Sequence, residues 1–83
     1  MNEEVLQRLE REAERITLSM PASLDDTEFT KVFNLEFARL LVRECVEVCC
    51  SVAAVREGYN DADGRDTAYS CGDQIKEYFG VEP

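Results

Sequence analysis

Apolar positions change their spacing along this chain, and the changes mark out three helical stretches. From Phe37 to Val55 the chain reads F-A-R-L-L-V-R-E-C-V-E-V-C-C-S-V-A-A-V, with no Gly or Pro and many apolar side chains. At about 100° per residue, Ala38, Leu41, Cys45, Val48, Val52 and Val55 fall on one side, with Val42, Val46, Cys49 and Ala53 directly beside them. The combined arc is roughly 180° wide, broader than the stripe of a surface helix. Such a helix has to be covered on two flanks, which places it at the centre of the fold and at a contact between subunits.

Before it, Val5, Leu9, Ala13 and Ile16 recur at helical spacing and form one narrow face, while Gln7, Arg8, Glu10, Arg11, Glu12, Glu14 and Arg15 turn to water. Asn2 is a natural cap, and Glu3 and Glu4 suit the positive end of the helix dipole. The helical period fades at Thr17. From there to Asp26, Ser19, Pro21, Ser23 and Asp25 read as a connection, and the alternation of Ile16, Leu18 and Met20 with Thr17 and Ser19 allows a short extended piece. Asp25 or Asp26 then caps the central helix near Thr27 and brings in Phe29, Val32 and Phe33, or the helix begins anew at Asn34. Its end is expected at Glu57, with Gly58 as a left-handed stop. A last helix runs from about Asp63 or Asp66 to Phe79, with Ala68, Cys71, Ile75 and Tyr78 on its apolar face and Gly80 ending it. Gly72 inside that helix costs about 1 kcal/mol against Ala, which points to close approach to the central helix. The expected fold is all-α: one domain over residues 1–83, three helices in an antiparallel arrangement around the long central one.

Length and charge narrow the setting. A chain of 83 residues buries only around 60% of its unfolded surface, so association is the natural remedy and a homo-oligomer, most simply a two-fold dimer, is expected. The formal charge of -9 repels duplex nucleic acid and anionic membranes and suits a basic protein surface. No apolar run reaches the roughly 18 residues of a membrane span, and N-E-E-V-L-Q-R lacks the features of a signal peptide, so a cytosolic location is expected. In that compartment Cys45, Cys49, Cys50 and Cys71 are free thiols, the first two and Cys71 packing like Ala or Val and Cys50 turned to the polar side. There is no C-x-x-C pair and no His, so neither a zinc set nor another cofactor is expected. The stretch N-D-A-D-G-R-D from Asn60 to Asp66 fails the calcium-loop spacing and reads as a turn with helix caps.

F-A-R-L-L-V-R-E-C at Phe37–Cys45 and D-Q-I-K-E-Y-F-G-V-E at Asp73–Glu82 together resemble a type of small tailed-bacteriophage protein in which F-A-x-L-I-V-R-E-C and I-K-x-H-F-G-V-E are separated by a variable acidic segment. The chain departs from that pattern in having Tyr78 where His is usual. The resemblance implies an accessory product made in the cytoplasm of the infected bacterium. It implies no reaction, and without His or metal spacing the chain is not expected to be an enzyme.

Two binding roles follow. In one, an oligomer sequesters an anionic, nucleotide-derived host immune signal, with Arg39 and Arg43 supplying cations near the seam and Lys76, Tyr78 and Phe79 joining them from the last helix. The same residues also fit a purely structural pattern, with Glu36 paired to Arg39, Arg43 paired to Glu47 and the terminal aromatics in the core. In the other, the acidic surface inhibits a basic host protein by standing in for phosphates.

Overall fold

The computed structural model describes residues 1–20 and 24–81, and every regular element among them is an α-helix. These are α1 (Glu3–Leu18), α2 (Asp26–Gly58) and α3 (Ala62–Phe79). The chain groups into two compact units, Met1–Leu41 and Val42–Pro83, and α2 contributes to both. Pro21 and Ser23, expected in a connection, and Glu82 of the second motif lie outside the described residues. Among those described, no helix is long and apolar enough to cross a membrane.

In the first unit, α1 begins where Asn2 accepts a hydrogen bond from the Val5 amide at 3.3 Å, with Glu3 and Glu4 in the opening turn. Leu9 and Ala13 are buried on one face, as their spacing predicts, and Val5 and Ile16 are half-buried beside them. Thr17 joins that face. The extended piece allowed at Ile16–Met20 is not formed: the helix continues to Leu18, and Thr17, buried on its inner face, has its hydroxyl satisfied by donating to the Ala13 carbonyl at 2.7 Å. Glu12 and Arg15 pair on the exposed side. The facing half of α2 starts at the Asp25 cap, whose carboxylate accepts from the Glu28 amide at 2.8 Å. It carries Phe29, Phe33 and Phe37 as a stack with centroid separations of 6.5 and 6.2 Å. That spacing of four residues keeps the rings on one face through Asn34, so the helix neither breaks nor restarts there.

The second unit is an antiparallel hairpin. α2 does not stop left-handed at Gly58. It runs through Gly58, and Asn60 takes the positive φ of 58°. The Asn60 amide donates to the Glu57 carbonyl (3.0 Å) and the Asp61 amide to Arg56 (2.9 Å), the paired bonds of a Schellman turn with Asn as its left-handed residue. Asp61 then caps α3 by accepting from the Gly64 amide at 2.9 Å, which starts that helix at Ala62 rather than Asp63 or Asp66. One residue closes one helix and opens the next, so the connection is only Tyr59–Asp61. Gly72 is buried against α2: a Cβ there would stand 3.4 Å from Cys49 Cβ and 3.6 Å from Val46 Cγ1. The close approach expected from Gly72 is present.

Candidate functional site

Only half of the wide apolar arc is covered within the second unit. Val42, Val46 and Cys49 are half-buried and Ala53 is fully buried, on the face that meets α3. The other half, Cys45, Val48, Val52 and Val55, is exposed, with Val48 at 60% and Val55 at 58%. Three β-branched residues at spacings of four and three, open to water on a helix, gain nothing for the isolated helix, since branching at Cβ lowers helix propensity.

The same geometry corrects the reading of the thiols. Cys45 and Cys71 are exposed rather than packed like Ala or Val; Cys45 lies on the uncovered half of the arc, and Cys71 lies one position from Gly72 and so is rotated off the contact. Cys50 is exposed, as expected, and Cys49 is half-buried. Burial pushes the Cys49 thiol above its ordinary value of 9.0, and the neighbouring Cys71 adds to the shift.

Tyr78 also departs from expectation. The inward face of α3 is Ala68, Gly72, Ile75 and the stem of Lys76, all buried or half-buried, while Tyr78 is 83% and Phe79 59% exposed. The helix ends in a second Schellman turn, with Gly80 at φ 69° and the Val81 amide donating to the Lys76 carbonyl at 2.9 Å. Val81 is thereby half-buried, and the two rings are left outside the core, packed edge to face at 5.0 Å between centroids.

The five candidate residues are distributed unevenly. Arg39 belongs to the first unit, where it is ion-paired with the buried Glu36, the intrahelical pair that spacing allows. Arg43, Lys76, Tyr78 and Phe79 belong to the second. Lys76 is partnered by Asp73 at 3.5 Å. Arg43 is exposed and, among the described residues, makes no ion pair; the alternative pairing with Glu47 is not formed. Register links Arg43 to α3. Gly72 faces the turn between Val46 and Cys49, so in an antiparallel pair of equal rise, four residues further along α3 brings Lys76 to the level of Arg43 and Glu44. An exposed guanidinium and two exposed rings therefore occupy the same end of the hairpin. The burial of Glu36 beside Arg39 was legible only as a spacing, because nothing in the residue types shows which charged pair the fold will cover.

Comparison with protein-family models, curated proteins and solved structures finds no match to this chain.

Proposed function

We propose that this protein is a non-enzymatic phage accessory protein that counters host defence by binding: it associates through the uncovered Cys45, Val48, Val52 and Val55 stripe and sequesters a small anionic, nucleotide-derived signal. The observation that carries this reading is the exposed Tyr78 and Phe79 pair at the same end of the hairpin as Arg43, which makes no ion pair among the described residues. A nucleotide needs a cation for its phosphate and an aromatic plane for its base, and base stacking on an aromatic side chain contributes about 1–3 kcal/mol. Arg39 and Lys76 are secondary, because Glu36 and Asp73 compete for their charges. The resemblance at Phe37–Cys45 and Asp73–Glu82 supports the phage setting.

The test is a thermal-shift screen of the intact protein against cyclic and ADP-ribose-type nucleotides. A ligand at about 100 times its Kd stabilises the folded state by about 2.7 kcal/mol, readily seen as a raised midpoint. No shift with any nucleotide, together with capture of a defined basic host protein on the -9 surface, would favour the acidic-inhibitor reading instead.

A further inference from the structure

Among the described residues the buried apolar side chains are only Leu9, Ala13 and Ala53. The surface left open is 6348 Å², whereas a folded monomer of 9.4 kDa exposes about 5,000 Å². The excess, about 1,300 Å² per chain, corresponds to about 2,600 Å² per pair of chains, inside the range of obligate homodimers. In the second unit the open apolar face is the stripe Cys45, Val48, Val52 and Val55, and charges flank it in a fixed order, Arg43 and Glu44 before it and Arg56 and Glu57 after it. A second copy running the same way in register sets each of these charges level with its own kind. Running the other way, about a two-fold axis at Cys50, it sets Arg43 level with Glu57 and Glu44 level with Arg56, so every like-charge level becomes an opposite-charge one.

Arg56 is exposed and, among the described residues, makes no ion pair. At about 100° per residue it lies between the stripe and the face that meets α3, and its Cγ is 3.2 Å from where a Cβ on Gly64 would stand. A two-fold axis across the seam keeps both α3 helices on one side of it, so the Arg56 edge of one copy opens onto the α3 side of the other. Arg56 and Glu44 are each six residues from Cys50, and Lys76 is level with Glu44. The second copy's Arg56 therefore arrives beside the last turn of α3, where Tyr78 and Phe79 are exposed. Within one chain Arg56 and Tyr78 are at opposite ends of the hairpin, about 20 Å apart along α2. We propose that two copies pair antiparallel on this stripe and that each supplies Arg56 to the Tyr78 end of the other, so that the nucleotide site is shared between chains. The ligand rests on the binding reading above; the pairing rests on the stripe and its charges. At that end the guanidinium meets a phosphate and the Tyr78 ring meets a base.

The pairing is tested without ligand, on the full chain carrying Cys49→Ala, Cys50→Ser and Cys71→Ser, with circular dichroism confirming the helices. Three proteins are oxidised: one keeping Cys45, one with Cys45→Ser and Val55→Cys, and one keeping Cys45 with Val55→Cys. Only the third is expected to give a covalent dimer, because Cys45 of one copy faces position 55 of the other; within a chain the two are about 15 Å apart along α2, beyond the reach of a disulfide. A covalent dimer from either single-thiol protein means a parallel pair and overturns the proposal, as does a monomer mass for the parent in light scattering. The shared site is tested by mixing Arg56→Ala with Tyr78→Ala and titrating the cyclic and ADP-ribose-type nucleotides that stabilise the parent. Each variant alone is expected to lose binding, and an equal mixture to regain about a quarter of the parent's sites, since half the pairs are mixed and each mixed pair keeps one intact site. No recovery in the mixture overturns the sharing. A parent that no nucleotide stabilises removes the nucleotide reading and with it the shared site, whereas the cross-links alone decide the pairing.

Discussion

Asn60 and Gly80 hold equivalent left-handed places at the ends of α2 and α3, at φ 58° and 69°, but at different strain. Gly80 has no Cβ to clash, so Gly80→Ala is expected to lower stability by about 1 kcal/mol, whereas Asn60→Gly is expected to raise it slightly because Asn tolerates that region only partly. Urea unfolding of the two variants checks both signs. Gly64 is constrained by space instead: a Cβ would lie 2.8 Å from Asp61 Cγ, so Gly64→Ala pushes away the carboxylate that caps α3 and is expected to cost about 1 kcal/mol. The proposed nucleotide binding turns, at this scale, on Arg43. Arg43→Ala is expected to leave the helical signal intact and weaken nucleotide binding by about tenfold to a hundredfold, the range of one charge-assisted contact. Arg39→Ala acts in the same direction but less, since its charge is already matched by Glu36. Titration of a nucleotide found in the screen against the three proteins decides it; equal affinity in parent and Arg43→Ala removes the assignment.

At the scale of the element, α1 and α3 respond to different variables. In α1 the Arg15 guanidinium beside Glu12 holds its carboxyl below the ordinary value of 4.5. A lowered folded-state value means that the pair's contribution is present above the unfolded value and is lost as pH falls through the folded one. The helical signal of the parent should therefore weaken on acidification below pH 4.5, and Glu12→Gln should lack that component, a small effect because the pair is solvent-exposed and screened by salt. Circular dichroism against pH at low ionic strength measures it. In α3 the contact at residue 72 has room for a methyl group and no more, its nearest neighbour being 3.4 Å away. Gly72→Ala is expected to be neutral to stabilising, by up to about 1 kcal/mol, from helix propensity. Gly72→Val should destabilise, because its branched methyls meet Val46 and Cys49.

For the whole molecule the question is whether a second copy covers Cys45, Val48, Val52 and Val55, as proposed. Their spacing of three, four and three is that of the a and d positions in a helix pair. It is symmetric along the helix, so a second copy running the other way would set Val48 against Val52 and Cys45 against Val55. Replacing Val48 or Val52 by Asp discriminates clearly. In a lone chain either side chain is about half exposed or more, and the charge would be tolerated. Across a seam the charge would be buried and unpaired, and the assembly should dissociate to monomer or aggregate. Light scattering of the parent and Val48→Asp at high micromolar concentration reads the difference, and a monomeric parent removes the seam.

Local rules, read from residues alone, were enough for much of the fold. Asn2 as a cap, the Leu9 and Ala13 face, the Gly80 stop and the close approach at Gly72 all depend on neighbours within a turn or on a missing Cβ, and each is visible in the order of residues. So was the Glu36 and Arg39 pairing. What only the tertiary structure decided is which half of an apolar arc meets a neighbour. The period of α2 marks Val46 and Val48 as equally apolar, and packing against α3 covers the first and leaves the second in water. The same holds for Cys71 and Tyr78, whose helical spacing suggested a core face until the position of Gly72 fixed the rotation of α3. Periodicity specifies the width of an apolar face, but its orientation is set by the contact that excludes water, and that contact lies between elements distant in sequence.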